Sequence, residues 1–306
     1  MDISLQLSAS SLQDFADCPR RFQLQHVLKV HWPLPVVEAV DVWETRQQMA
    51  QQFHRLAQQY LLGIPASTLA ASIDDTDVER WWQAFSNYAV GLQGAEIQPE
   101  VGLSISFLGH RLYARYDALA LFGAPGNEDG TAASLRDEGE SSFVILDWKT
   151  YRRRPTRSWL ASRLQTTVYP LVLVQGSQLF GARAPTTPED IELRYWLAED
   201  PKNPELFPYS AGRYSADLER LTGLVTDINR LLQSSQHLMV GDTWPLTTDL
   251  QLCKFCNYRS LCDRDGQVGK ANYAADLDEE NLEREPVTDL SDLEDSQVAE
   301  TAFWKG

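Results

Sequence analysis

The chain has 306 residues, 43% of them hydrophobic, and a net charge of −16. That composition supports a sizeable core. No 18-residue apolar run is present, and MDISLQLSAS at the start has no basic or apolar leader region, so a soluble, cytoplasmic protein with no membrane partner is expected.

Residues 10–28 (SSLQDFADCPRRFQLQHVL) read as helical, with Ser10 and Gln13 at capping-box spacing and a break after Cys18 imposed by Pro19. An amphipathic helix follows over 42–62, with Met49, Phe53, Leu56 and Tyr60 as its apolar stripe and Gly63 as its stop. A further helix covers 77–93 and carries Trp81, Trp82 and Phe85. The period then changes to two. LSISFL (103–108) turns at Gly109-His110 into RLYARYDALALF (111–122), a hairpin.

Residues 123–142 are rich in Gly, Ser and acids and read as a flexible insert. The next strand is FVILDWKT (143–150), followed by helical period over 158–175, a strand over 191–199 and a helix over 215–233. From 271 to 306 the chain holds 11 acids against 2 bases and reads as a disordered acidic tail. The spacing thus predicts one α/β domain over 1–270, with a central mixed sheet flanked by helices, and a tail. Most of the negative charge lies in the tail and in 124–142, so a local basic surface for nucleic acid is compatible with the total.

The chemistry concentrates around FVILDWKT. Four apolar residues end in Asp147 and Lys149, which alternation places on one face of the strand. Asp117 lies in the preceding strand on the face of Tyr113 and Arg115, and would approach Asp147 if the two strands pair. Two carboxylates brought together repel unless a cation intervenes, and Mg²⁺ accepts such a pair. Read alone, the octet also fits a structural Asp–Lys pair. Arg152, Arg153, Arg154, Arg157 and Arg163 follow as the densest basic cluster, suited to a polyanion or to a solvated loop. Gln165 and Tyr169 then share one helical face.

The four cysteines are Cys18 and the C-x2-C-x5-C array of Cys253, Cys256 and Cys262. In a cytoplasmic chain they suggest a four-thiolate metal site joining the two ends of the domain. Zinc and an iron–sulfur cluster both suit this donor set, and the x5 interval leans toward iron–sulfur.

These pieces, in this order, resemble the PD-(D/E)XK nuclease superfamily, in its RecB/AddB-type branch that includes CRISPR adaptation nucleases. The matching segments are SASSLQDFADCPRRFQL with Cys18, HRLAQQY with His54, YARYDAL with Asp117, LDWKT with Asp147 and Lys149, QTTVY with Gln165 and Tyr169, and CKFCNYRSLC. The resemblance implies a restriction-endonuclease-like core with Mg²⁺ or Mn²⁺ held by His54, Asp117 and Asp147. It also implies a structural [4Fe–4S] cluster on Cys18, Cys253, Cys256 and Cys262.

The activity so implied is hydrolysis of DNA at ends or in single strands, by an exonuclease of repair or recombination. Arg152, Arg153, Arg154 and Arg157 would hold the backbone. Glu100 is a further acid near the first strand, and His26, His31, His110 and His237 read as structural. No G-x-x-x-x-G-K-[ST] loop is present, so a helicase or repair protein would be a separate partner. The rival readings are a non-catalytic DNA-binding scaffold of the same fold and a zinc-stapled protein whose Asp147–Lys149 pair is structural.

Overall fold

The computed structural model describes residues 4–31, 40–92, 94–122, 143–176, 178, 187–234, 243–254, 256–264 and 266. The acidic insert 123–142, His237 and the tail 271–306 lie outside them. The sequence places β1 at Gln6–Leu7, β2 at Glu96–Phe107, β3 at His110–Leu121, β4 at Phe143–Lys149, β5 at Ile191–Leu197 and β6 at Glu205–Pro208. Together they form one mixed sheet in the order β1-β3-β4-β5-β6, with β2 paired to β3. β2 and β3 are antiparallel, β3 and β4 antiparallel, β4 and β5 parallel, and β5 and β6 antiparallel. The mixed sheet expected from the sequence is therefore present.

The hairpin turns at Leu108-Gly109, one residue earlier than the sequence suggests. Both residues take positive φ, 47° and 87°, which matches the twist of a tight hairpin. His110 is drawn into the strand because its ring is buried. Its Nδ1 accepts the Leu5 N–H at 3.1 Å, and its Nε2 meets Asn229 Oδ1 at 2.8 Å. His26 is likewise engaged with Asp14, at 2.8 Å.

Helix α1 (Ala9–Asp17) is capped by Ser8, which exchanges hydrogen bonds with Ser11. The Ser10–Gln13 box is not formed, because Gln13 donates to Asp17 and accepts the N–H of Leu164. The break at Cys18 occurs as Pro19 requires, and α2 (Pro19–Phe22) continues into a π-turn over Gln23–Val27. Next come α3 (Val40–Leu61), α4 (Ala66–Ala70) and α5 (Thr76–Val90, capped by Asp75). The helix expected over 158–175 is two, α6 (Arg157–Ser162) and α7 (Leu164–Gly176), parted at Arg163 with ψ of 142°. Helix α8 spans Ala211–Ser234.

Helices cover the sheet on two sides. Phe53 of α3 and Trp81, Trp82 and Phe85 of α5 pack with Val144, Leu146, Trp148 and Trp196. On the other side α1, α7 and α8 bury Leu12, Phe15, Leu164, Val168, Leu171, Leu221 and Val225 against Phe143, Ile145 and Leu193. Helix α7 is apolar nearly all round, as a helix covered on several sides must be.

Strand β3 changes layer part-way along. Leu112, Ala114 and Tyr116 join the α7 side, whereas Ala118 and Ala120 join the α3–α5 side. The switch falls at Asp117. Across from it in β2 stands Glu100, whose φ of +56° breaks the regular pairing between Pro99–Ala118 and Val101–Tyr116.

Candidate active site

Alternation along β4 explains the Asp-Trp-Lys ending. Trp148 turns into the aromatic layer, 4.9 Å from Phe85 and 6.2 Å from Trp196 between ring centroids. That anchor holds the strand end and sends Asp147 and Lys149 to the opposite face. Lys149 Nζ lies 3.0 Å from Asp147 Oδ2. Gln165 of α7 completes the group, donating through Nε2 to Asp147 Oδ1 at 2.6 Å and accepting from Lys149 Nζ at 2.7 Å.

Asp117 stands one residue beyond the Ala118–Leu146 pair, so the register sets it opposite Asp147. Its Oδ2 accepts the Trp148 N–H at 2.7 Å, and its Oδ1 faces His54 Nδ1 at 3.2 Å. His54 reaches it from α3 beside Phe53, which is stacked on Trp196. Tyr169 lies one turn beyond Gln165, its ring edge-on to Tyr116, and its backbone carbonyl accepts the Tyr116 hydroxyl at 3.0 Å. The structure thus brings His54, Asp117, Asp147, Lys149, Gln165 and Tyr169 into one region.

The two carboxyls are held differently. Burial pushes Asp147 up to about 7, Asp117 adds to the rise, and Lys149 opposes it. Burial also disfavours ionisation of Asp117, but His54, the Trp148 N–H and Lys149 together outweigh it and hold that carboxyl below its ordinary value. Burial keeps the Tyr169 phenol neutral, and the charge of Asp147 reinforces this.

Among the described residues, no three His, Cys, Asp or Glu side chains converge as a ready-made metal cage. A hard divalent cation nonetheless fits the carboxylate pair. Asp147 Oδ2 is buried without an aligned hydrogen bond, 3.0 Å from Lys149 Nζ, so it has lone pairs left for a cation. Mg²⁺ needs only one or two carboxylates, with water filling the remaining positions.

The four arginines part company. Arg154 pairs with Asp200 at 2.6 Å and with Glu205, and Arg157 pairs with Glu205 at 2.8 Å and stacks on Phe207. Their guanidiniums brace the end of β6. Arg152 and Arg153 are exposed.

The cysteines form no disulfide with one another; Cys18 and Cys253 are buried, and Cys256 and Cys262 are half-buried. Burial raises the Cys262 thiol, and Cys18 and Cys253 add to it, so these segments are neighbours. The four do not close into the metal-ready group that the sequence suggests. Other contacts also join the segments. The Trp244 ring stacks on Phe22 at 6.0 Å, the Trp244 backbone N–H donates to Gln23 Oε1 at 2.9 Å, and the Tyr258 hydroxyl donates to the Val30 carbonyl at 2.9 Å.

Arg46 was not singled out by any motif. It lies over the Trp81 ring at 4.5 Å and donates to the Thr150 carbonyl at 2.7 Å and to Glu199 at 3.3 Å. It ties α3 to the residue after Lys149. Its hydrogen-bond partners, Thr150 and Glu199, lie over 100 residues away, so no local pattern marks it.

Two acids and a lysine delivered to one point by adjacent strands suit attack on a phosphodiester. The chain belongs to the PD-(D/E)XK nuclease superfamily, whose family model matches residues 6–123 and 133–263. It is similar in structure to a candidate exonuclease from Eubacterium rectale, at 10% identity, a TM-score of 0.46, and coverage of 83% of this chain and 87% of that one. A second solved structure, SSO0001, aligns at 14% identity and a TM-score of 0.34, covering 86% of this chain and 87% of that one. No curated protein matches the sequence. Among the described residues no helix is long and apolar enough to cross a membrane.

Proposed function

We propose that this protein is a Mg²⁺- or Mn²⁺-dependent deoxyribonuclease, an exonuclease of the RecB/AddB type acting on DNA ends or single strands in repair or recombination. One observation carries the reading: Asp117, Asp147, Lys149 and Gln165 meet where β3 leaves its pairing with β4, at the end of β4. Asp117 and Asp147 would hold the cation, with His54 orienting Asp117 or completing the set. When bound, the cation supplies neutralisation of the carboxylates and stabilisation of charge on phosphate.

The chain's own groups do the rest. Lys149 presents N–H donors to charge developing on phosphate oxygens. Gln165 fixes Lys149 and Asp147 relative to each other. Tyr169, kept neutral, braces α7 behind them. Arg152 and Arg153, both exposed, are the proposed backbone contacts, which are sequence-tolerant. We place the nuclease unit at 1–270 and the acidic tail at 271–306.

Cys18, Cys253, Cys256 and Cys262 have the donor chemistry for a structural [4Fe–4S] cluster, with zinc as the alternative. Anaerobic purification and visible absorbance separate the two.

The test is cleavage of end-labelled single- and double-stranded DNA with Mg²⁺, Mn²⁺ or EDTA. Metal-dependent cleavage that Asp147→Ala removes supports the reading, and product lengths give the mode. DNA binding by a folded protein that cleaves nothing under these conditions would favour the scaffold.

A further inference from the structure

We propose that Arg115, aimed by Glu100, is a further substrate-contacting residue that grips a phosphate of the DNA strand beside the one being cleaved. The inference rests on the nuclease reading above and adds a contact outside the carboxylate–lysine group.

Arg115 precedes Asp117 by two residues on β3, on the side that leads away from the site along the hairpin. Its side chain is 50% exposed. Its Nε donates to Glu100 Oε2 at 2.5 Å. Among the described residues its two terminal amino groups have no protein acceptor, unlike those of Arg154 and Arg157. A guanidinium fixed through Nε presents its terminal N–H groups in a set direction, which suits a phosphate oxygen.

Glu100 is placed for this by its backbone. It stands opposite Asp117 in register, yet adopts a φ of +56°, a left-handed conformation disfavoured in a residue other than glycine. The kink lets its carboxylate, only 19% exposed, reach Arg115. Gly102, opposite Arg115, makes room for the Tyr113 ring, since a Cβ there would meet the Tyr113 hydroxyl at 2.8 Å. A strand lying from Asp117 toward Tyr113 would cross Arg115.

The experiment measures binding of a short fluorescein-labelled single strand by anisotropy, with Ca²⁺ replacing the catalytic cation, over a salt series. Wild type, Arg115→Met, Arg115→Lys and Glu100→Gln are compared, each checked for an unchanged melting profile. Arg115→Met is expected to weaken binding about 10-fold and to reduce the slope of log affinity against log salt by about 0.7, one phosphate contact on a single strand. Arg115→Lys should restore the slope and only part of the affinity. Glu100→Gln should keep the slope while weakening binding less than Arg115→Met. A folded Arg115→Met protein with wild-type affinity and slope overturns the proposal while leaving the nuclease reading intact. Absence of both DNA binding and metal-dependent cleavage in the wild-type protein would instead remove the reading on which it rests.

Discussion

The Asp117 carboxylate accepts the backbone N–H of Trp148 at 2.7 Å, so one acid of the site is bonded to the strand that carries the other. The contact fixes the level at which β3 and β4 meet beyond their last regular pair, Ala118–Leu146. It also leaves Asp117 Oδ1 turned toward His54. Because β3 changes layer at this residue, Asp117 can touch α3 on one side while facing the Lys149–Gln165 group associated with α7. The site is thus built where the two layers come together around a strand crossing between them.

Asp147 should make the metal-free protein less stable as pH rises. Burial pushes its carboxyl up to about 7 in the folded chain, against about 3.9 when unfolded. The stability it contributes is complete below the unfolded value and is lost as pH climbs through the folded one. The melting temperature in EDTA is therefore expected to fall between pH 5 and pH 8. Asp147→Asn should flatten that slope, and Mg²⁺ should oppose the fall by binding the ionised form. A melting series in EDTA that is flat across this range for the wild type would contradict the assignment.

Lys149 and Gln165 should separate chemistry from positioning. Lys149→Met is expected to lower kcat by about 10²–10³-fold, with DNA affinity in Ca²⁺ little changed. Gln165→Ala removes the group that holds both Asp147 and Lys149, and should cost about 10–100-fold in activity or metal affinity. Single-turnover rates and Mn²⁺ titrations by paramagnetic resonance check the two. Equal loss of DNA affinity in both variants would mean that Lys149 only binds substrate.

Periodicity made much of this site readable. Alternation put Asp147 with Lys149, and the helical repeat put Gln165 with Tyr169, because both are local rules. The β3 layer switch was not readable, since a left-handed Glu100 carries no residue-type signal of the kind glycine provides. Arg154 and Arg157 looked like part of a polyanion surface because their partner, Glu205, lies about 50 residues away on a four-residue strand. The Ser8 cap escaped for a related reason: Ser11 replaced the glutamine or glutamate that the spacing rule seeks.

Phe53 should be among the costliest residues to shorten. Its ring is fully buried, stacked on Trp196 at 5.5 Å and edge-on to Phe85 at 5.7 Å, and it seats the helix that delivers His54. Phe53→Ala is expected to destabilise the fold by about 3–5 kcal/mol through lost burial and a cavity. Denaturant unfolding measures this directly. A Phe53→Leu variant should lose less, and His54→Ala should lower activity.

Gln23 tests what joins the two ends of the described chain. Fully buried, it accepts from Arg20 Nη1 at 2.6 Å and from the Trp244 N–H at 2.9 Å. Arg20 also donates its own N–H to the Pro245 carbonyl at 3.1 Å, so the two segments meet through several bonds at one place. Gln23→Ala removes the acceptor of two buried donors and should cost about 1–3 kcal/mol. Hydrogen exchange should show protection lost first at Trp244 and through 250–264, with β4 and β5 unaffected. That pattern would mean the polar and aromatic contacts carry the junction. Undiminished protection at Trp244 would assign the fastening to the cysteine segment itself.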